Sequence, residues 1–285
     1  MKDKEYLVIG RSNGTTKIGS PYCNLKIKNA EEELSIAVWE VRPEDPPVVG
    51  QLVTFDVIQN NDGKCSARRG EMHAGEMPQE GHPLYHLLPR PIGREQWDRC
   101  IANLLTLCGE STYKEFIAEV ADKLYGPYSD YPAATSIHHA FRGGLLNHTY
   151  QMLHMLEGLA PCLPYPIRVD HCIIAIMFHD YGKTTVYSRS GEQQPENSLL
   201  GHIYISANAL HRELDRRGFA NDEKERIVHI VLSHHGQLDY GSPVVPCTQE
   251  AMIVHMLDNL SAKSDTIENS GNMEYVNSLC TRVIK

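Results

Sequence analysis

The apolar residues of this chain change their spacing once, across a stretch where no regular element can run. Between Glu71 and Arg94 lie Met77-Pro78, Gly81-His82-Pro83 and Leu88-Pro89-Arg90-Pro91-Ile92-Gly93. Each proline removes a backbone donor and clashes with the preceding helical turn, so prolines at this density forbid a helix. Before this stretch apolar and polar residues alternate; after it apolar residues recur every three or four positions. A chain of 285 residues with one such switch reads as two domains of different class. The expected division is a small all-β barrel over 1–80, a Pro/Gly-rich linker over 81–94 and an all-α domain over 95–285.

In the first part, strands are expected at 5–10, 23–28, 34–41, 51–59 and 64–68. Turn signals separate them at Ser12-Asn13-Gly14, Pro43 to Pro47 and Asn60-Asn61-Asp62-Gly63. Five short strands suit an OB-like barrel, a fold that commonly binds oligonucleotides. Trp39, Tyr22 and Phe55 are aromatics that can stack on bases, and Lys26, Lys28, Lys64, Arg68 and Arg69 are cations that can meet phosphates. Local sequence alone describes core aromatics and a solvated basic face more readily. His73, His82 and His86, near or within the linker, are expected to face solvent.

In the second part, helices are expected at 95–108, 112–124, 140–158, 168–180, 198–217, 222–235 and 248–268, with a short one near 272–283. Thr112 and Glu115 have the spacing of a capping pair, and Gly126-Pro127 reads as a break. The stretch Ile173-Ile174-Ala175-Ile176-Met177-Phe178 ends abruptly in His179-Asp180-Tyr181-Gly182-Lys183. Burying a carboxylate there costs several kcal/mol or more unless something binds it. A divalent cation removes that cost, since imidazole and carboxylate suit Zn, Mn, Fe or Mg according to the mix.

Other polar residues interrupt apolar helix faces: His148, His202, His234, His235 and Asp258. A single inward histidine is more often a satisfied core residue than a ligand. Five histidines with two aspartates on five successive helices are hard to satisfy with one another alone. They divide chemically into His148, His179, Asp180 and Asp258 around one ion, and Asp180, His202, His234 and His235 around a second. Two such ions, ~3.5–4 Å apart, hold a hydroxide and clamp the attacking and leaving oxygens of a phosphoryl displacement. Gly182 is expected to permit a tight exit from the helix, Lys183 to meet a phosphate oxygen, and Arg142 to be a second phosphate contact or an ordinary helix-end ion pair. His138 and His139 precede Arg142 and are expected to line substrate or to have no role; His154, His171, His211, His229 and His255 are expected to be solvated or packed.

The totals narrow the function. A net charge of −9 argues against a simple nucleic-acid binder with a basic patch, but leaves room for an enzyme whose metals meet the phosphates. No apolar run approaches the ~18 residues of a membrane span, and the N-terminus shows no signal-peptide apolar region. Eight scattered cysteines without a Cys-x-x-Cys pair read as reduced cytoplasmic thiols, none required as a metal ligand.

The pattern His148, His179-Asp180 and Asp258 resembles the HD superfamily of metal-dependent phosphohydrolases, and His202 with His234-His235 resembles its two-metal subset. The run His138-His139-Ala140-Phe141-Arg142-Gly143-Gly144-Leu145-Leu146-Asn147-His148-Thr149, with Gly201-His202-Ile203 behind an OB-like domain, is similar to the YhaM family of 3′→5′ exoribonucleases. The resemblance implies a manganese-type requirement, with Fe, Co, Ni, Zn or Mg as other candidates, and removal of nucleotides from single-stranded 3′ ends. The expected activity is therefore cleavage of single-stranded RNA, and DNA if the 2′-OH is not read, by metal-hydroxide attack on the terminal phosphodiester. Asp180, Lys183 and Arg142 would carry the chemistry, and Lys183, Arg142, His138, His139 and Trp39 would contact substrate. The alternatives are an HD phosphohydrolase of mononucleotides or cyclic dinucleotides, and a non-enzymatic single-strand-binding module with a structural metal.

Overall fold

The computed structural model describes residues 4–42, 45–61, 64–135, 138–189, 191, 193–270, 275–276 and 279–284. The turn signals at Pro43 and Asp62-Gly63 lie outside them. The alternating half forms one curved sheet, a half-barrel of seven strands where five were expected: β1 (Tyr6–Thr15), β2 (Pro21–Lys28), β3 (Glu33–Trp39), β4 (Leu52–Phe55), β5 (Gln59–Asn61), β6 (Lys64–Arg68) and β7 (Met72–Ala74). Their order is β5-β6-β3-β2-β1-β4-β7, antiparallel throughout except for the β3–β6 pair. Val8, Leu25, Ile27, Ile36, Val38, Val53 and Phe55 fill the concave side.

Two expectations fail here for physical reasons. Ser12-Asn13-Gly14 is not a turn but lies inside β1, where Gly14 pairs with Tyr22. A Cβ on Gly14 would sit 2.6 Å from the Tyr22 ring, so the glycine gives the ring its place rather than reversing the chain. The segment 51–59 breaks after Phe55: β4 lies between β1 and β7, while Gln59 begins β5 at the opposite edge of the sheet.

The Pro/Gly-rich stretch is fastened at both ends. Leu84 is buried with Leu7 and Leu52 of the sheet. Further on, the Ile92 amide donates to Asn147 Oδ1 at 2.8 Å, and the Tyr125 hydroxyl donates to Ile92 O at 3.1 Å. His73 is exposed beside Asp56, His86 is exposed, and His82 is half-buried against Glu5.

The helical half contains α1 (Arg94–Leu107), α2 (Lys114–Tyr128), α3 (Gly144–Leu159), α4 (Val169–Phe178), α5 (Lys183–Val186), α6 (Gly201–Arg216), α7 (Asn221–Ser233) and α8 (Gln249–Asn269). Every residue of α4 from Asp170 to Phe178 is buried. A helix apolar on all sides must be central, and α4 packs against α1, α2, α3, α6, α7 and α8. Each fully buried aliphatic side chain on it contributes ~1.5–3 kcal/mol of burial. The predicted Thr112–Glu115 cap does not form: Tyr113 takes the N-cap position and its amide donates to Ser111 Oγ at 3.1 Å. α2 also continues through Gly126-Pro127 to Tyr128.

The predicted helix near 272–283 is not found among the described residues. Residues 275–276 and 281–282 pair as a short antiparallel hairpin, and 271–274, 277–278 and 285 lie outside the description. No helix among the described residues is long and apolar enough to cross a membrane.

Candidate metal centre

α4 and α7 end in the same way and at the same place. His179 follows the last residue of α4, and its Nδ1 donates to Ile176 O at 2.7 Å. His234 follows the last residue of α7, and its Nδ1 donates to Val231 O at 2.6 Å. His235 Nδ1 donates to Tyr240 O at 2.8 Å. A carbonyl only accepts, so each Nδ1 carries the ring proton and each neutral ring keeps a lone pair on Nε2. The His179 and His234 rings lie 5.1 Å apart, which brings the negative ends of two helix dipoles together, a setting that favours a cation.

Asp180 stands between two groups of donors. Its Oδ2 lies 3.2 Å from His179 Nε2, 3.8 Å from His148 Nε2 and 2.7 Å from Lys183 Nζ. Its Oδ1 faces His202 Nε2 at 3.6 Å and His234 Nε2 at 3.9 Å. His148 Nε2 is also 3.1 Å from Asp258 Oδ1 and 3.2 Å from His179 Nε2. The ligand atoms of His148, His179 and Asp258 lie within 4.8 Å of one another, as do those of His202, His234 and His235.

This donor set fits cations and fits little else. His179 Nε2, Asp180 Oδ2 and Asp258 Oδ1 converge on His148 Nε2, and with the His148 ring proton held on Nδ1 no hydrogen is left to bridge any of them. On the other side, Asp180 Oδ1, His202 Nε2 and His234 Nε2 are buried with no hydrogen-bond partner. A buried polar atom without a partner costs about 1–3 kcal/mol. A cation bound by these atoms removes that cost at several of them together.

The electrostatics keep most of the donors in ligating form, His179 excepted, which Asp180 raises against its burial. Burial works to raise the Asp180 carboxyl, but Lys183 and His179 outweigh it and hold it well below the usual carboxylate range. Asp258 is likewise held low against its burial, chiefly by His148. Burial pushes His202 down to about 3 and His234 well below its ordinary value. Lys183, despite burial, is raised by Asp180 and remains an ammonium.

A second layer of residues holds the ligands in place, and sequence reasoning missed it. Ser261 donates its hydroxyl proton to Gln151 Oε1 at 2.8 Å, so its oxygen accepts from His148 Nδ1 at 2.9 Å. That leaves His148 Nε2 for the cluster. His255 Nδ1 donates to His234 O at 2.7 Å, and its ring fills the space where a Cβ on Gly236 would come within 2.1 Å. The only signal for these residues is their helix: His255 and Ser261 flank Asp258 at three residues on either side. Outer partners of metal-binding histidines typically weigh 10–100-fold in affinity. Ser261→Ala is therefore expected to weaken manganese binding by about 10–100-fold and to destabilise the chelated protein by only about 1–3 kcal/mol, the cost of leaving the buried His148 Nδ1 without its acceptor. Calorimetric titration checks this, and an unchanged affinity would count against the assignment.

The structure thus brings together His148, His179, Asp180, Lys183, His202, His234, His235 and Asp258. His138 lies beside them, its ring centroid 6.0 Å from that of His148. His139 does not line a mouth: it is 2% exposed and stands behind His148, with its Nε2 3.4 Å from Ser261 Oγ. Its backbone is left-handed (φ 47°), and its carbonyl lies 1.9 Å from where a Cβ on Gly144 would be. Arg142 is not brought to the cluster; its exposed guanidinium pairs with Asp130 at 2.6 Å. Trp39 belongs to β3 in the sheet. Gly182 is needed for a different reason from the one expected: its φ is an ordinary −61°, but a Cβ there would meet His202 O at 2.3 Å.

Residues 145–263 match the HD domain family. The chain is 28% identical over 273 residues to the 3′-5′ exoribonuclease YhaM of Geobacillus sp., covering 94% of this chain and 84% of that protein. It is 27% identical over 267 residues to the 3′-5′ exoribonuclease YhaM of Bacillus velezensis, covering 92% and 84%. No solved structure matches the chain. The matched segment runs from α3 to α8, the first and last helices that supply donors to the cluster. Residues 145–263 are therefore an HD domain, which supports a hydrolytic, metal-dependent phosphohydrolase activity, and the likeness of the chain to the YhaM exoribonucleases extends well beyond that domain.

Proposed function

We propose that this enzyme removes nucleotides from the 3′ end of single-stranded RNA with two divalent cations, manganese foremost. His148, His179, Asp180 and Asp258 would hold one, and Asp180, His202, His234 and His235 the other. The observation that carries this reading is the division of Asp180, whose two oxygens each face a separate set of donors. Such cations supply Lewis acidity toward a phosphodiester and a lowered pKa for water. Lys183 keeps Asp180 ionised and sets a positive charge beside the phosphate charge that develops. Arg142, engaged with Asp130, is given no part.

The names of the relatives support a polynucleotide substrate, and the outer face of the sheet offers a place for one. Tyr22 and Trp39 lie side by side there, ring centroids 5.4 Å apart, and Trp39 is 41% exposed. Phe55, by contrast, is core. Lys26 and Lys28 share Glu33, and Lys64 and Arg68 are exposed on the neighbouring β6. An aromatic pair with cations around it accommodates stacked bases without reading their sequence. Cys23, Cys100 and Cys172 are buried free thiols, which fits a reducing cytoplasm.

The test is digestion of 5′-labelled single-stranded RNA with manganese, beside the matching DNA and a cyclic dinucleotide. A ladder shortening from the 3′ end is expected for RNA. Intact strands with a hydrolysed cyclic dinucleotide would replace this reading with a small-substrate phosphodiesterase.

A further inference from the structure

Away from the HD centre, α1 and α3 bring a thiol, an imidazole and a carboxylate to one place. Cys100 lies on α1, while His154 and Glu157 lie three residues apart on α3, and the ligand atoms of all three fall within 4.8 Å of one another. His154 and Glu157 are already oriented. His154 Nδ1 sits 3.2 Å from Glu157 Oε2. The His154 ring lies flat on Tyr150, centroids 5.6 Å apart and planes 7° from parallel. Asn103 Nδ2 donates to Glu157 Oε1 at 2.8 Å, which fixes the carboxylate. The Cys100 side chain approaches from the buried side, whereas that of His154 is 63% exposed, so one face of the group is open to water.

We propose that Cys100, His154 and Glu157 form a second metal site, separate from the HD centre, that binds a borderline-soft divalent ion of the zinc type and clips α1 to α3. One sulfur, one nitrogen and one oxygen ligand with an open position is a donor set suited to tetrahedral zinc and poorly suited to manganese or magnesium. An ordinary reactive cysteine is a poor account of the same residues. Burial, with the Glu157 carboxylate beside it, pushes the Cys100 thiol up to about 12, so without a metal it stays protonated, and a bound ion must displace that proton. The proposal departs from the expectation that none of the cysteines serves a metal. It does not depend on the RNA substrate.

The test is titration of the reduced, full-length protein with cobalt(II), which occupies zinc sites and shows a near-ultraviolet charge-transfer band when bound by thiolate. The HD centre offers only nitrogen and oxygen, so it cannot produce that band. A saturable band is expected for the natural protein, lost in Cys100→Ser. His154→Ala, at an exposed position, is expected to need at least about tenfold more cobalt, since a direct ligand should weigh no less than an outer partner. Cys247→Ala, which removes the exposed thiol 3.2 Å from His229, should leave the band in place. If Cys100→Ser does not fold, the His154 comparison decides alone. No band in the natural protein, a band that survives Cys100→Ser, or an unchanged cobalt midpoint in His154→Ala would each overturn the proposal.

Discussion

Asp180→Ala is expected to abolish both manganese binding and phosphodiester hydrolysis, with activity falling at least about 10³-fold, more than the loss of one charge-stabilising donor usually costs. No other residue of the cluster presents an oxygen to each of the two donor groups. The same change leaves the Lys183 ammonium, 7% exposed, without its carboxylate partner. Removing one member of a buried pair costs about 3–5 kcal/mol, so the single variant should also be less stable. The double variant Asp180→Ala/Lys183→Met separates the effects: it should regain much of the lost stability and none of the activity. Metal content by mass spectrometry, thermal unfolding and hydrolysis are the three readouts. Full activity in either variant would remove Asp180 from the centre of the mechanism.

Acid is expected to unfold the metal-free protein well before ordinary acid denaturation. Burial is the first cause that holds His138, His139, His171, His202, His229 and His234 below the usual histidine value, while His179 is raised by Asp180 against its own burial. The folded protein therefore refuses protons that the unfolded chain accepts below about pH 6.5. Stability from these groups is present above that pH. It falls as the pH drops toward about 3, where His138 and His202 protonate in the folded state. Each depressed group contributes up to about 1.4 kcal/mol per pH unit in that window, and His179 works the other way. Urea midpoints in chelator at pH 7 and pH 5 should differ by several such increments. Equal midpoints would mean that the imidazoles are not held as the geometry implies.

The donor set was legible in the sequence because its members break a pattern. His148, His179, Asp180, His234 and Asp258 interrupt helix faces that are otherwise apolar, and burial makes such interruptions informative. Ser261, Gln151 and His255 left no comparable mark, since a serine or glutamine on a helix is ordinary until its neighbour is known. Arg142 shows the same limit in reverse. Its guanidinium invites a phosphate, but Asp130, twelve residues earlier, claims it. In the sheet, Ser12-Asn13-Gly14 misled because the residue that permits a turn also permits a close approach, and here Gly14 makes room for Tyr22. The expected helix near 272–283 gives way at 275–276 and 281–282 to a short antiparallel hairpin, a local pairing that helical periodicity does not reveal.

The ends of helices are normally where a helix loosens first, because the last carbonyls have no partner of their own. In this protein the last turns of α4 and α7 are closed by the ring protons of His179 and His234, whose other nitrogens face the cluster. A bound ion would tether both ends through their histidines, so neither turn could unwind without giving up a ligand. Two buried helix ends would then be held by the metal centre, and the enzyme would lock its own scaffold in the act of taking up its cofactor.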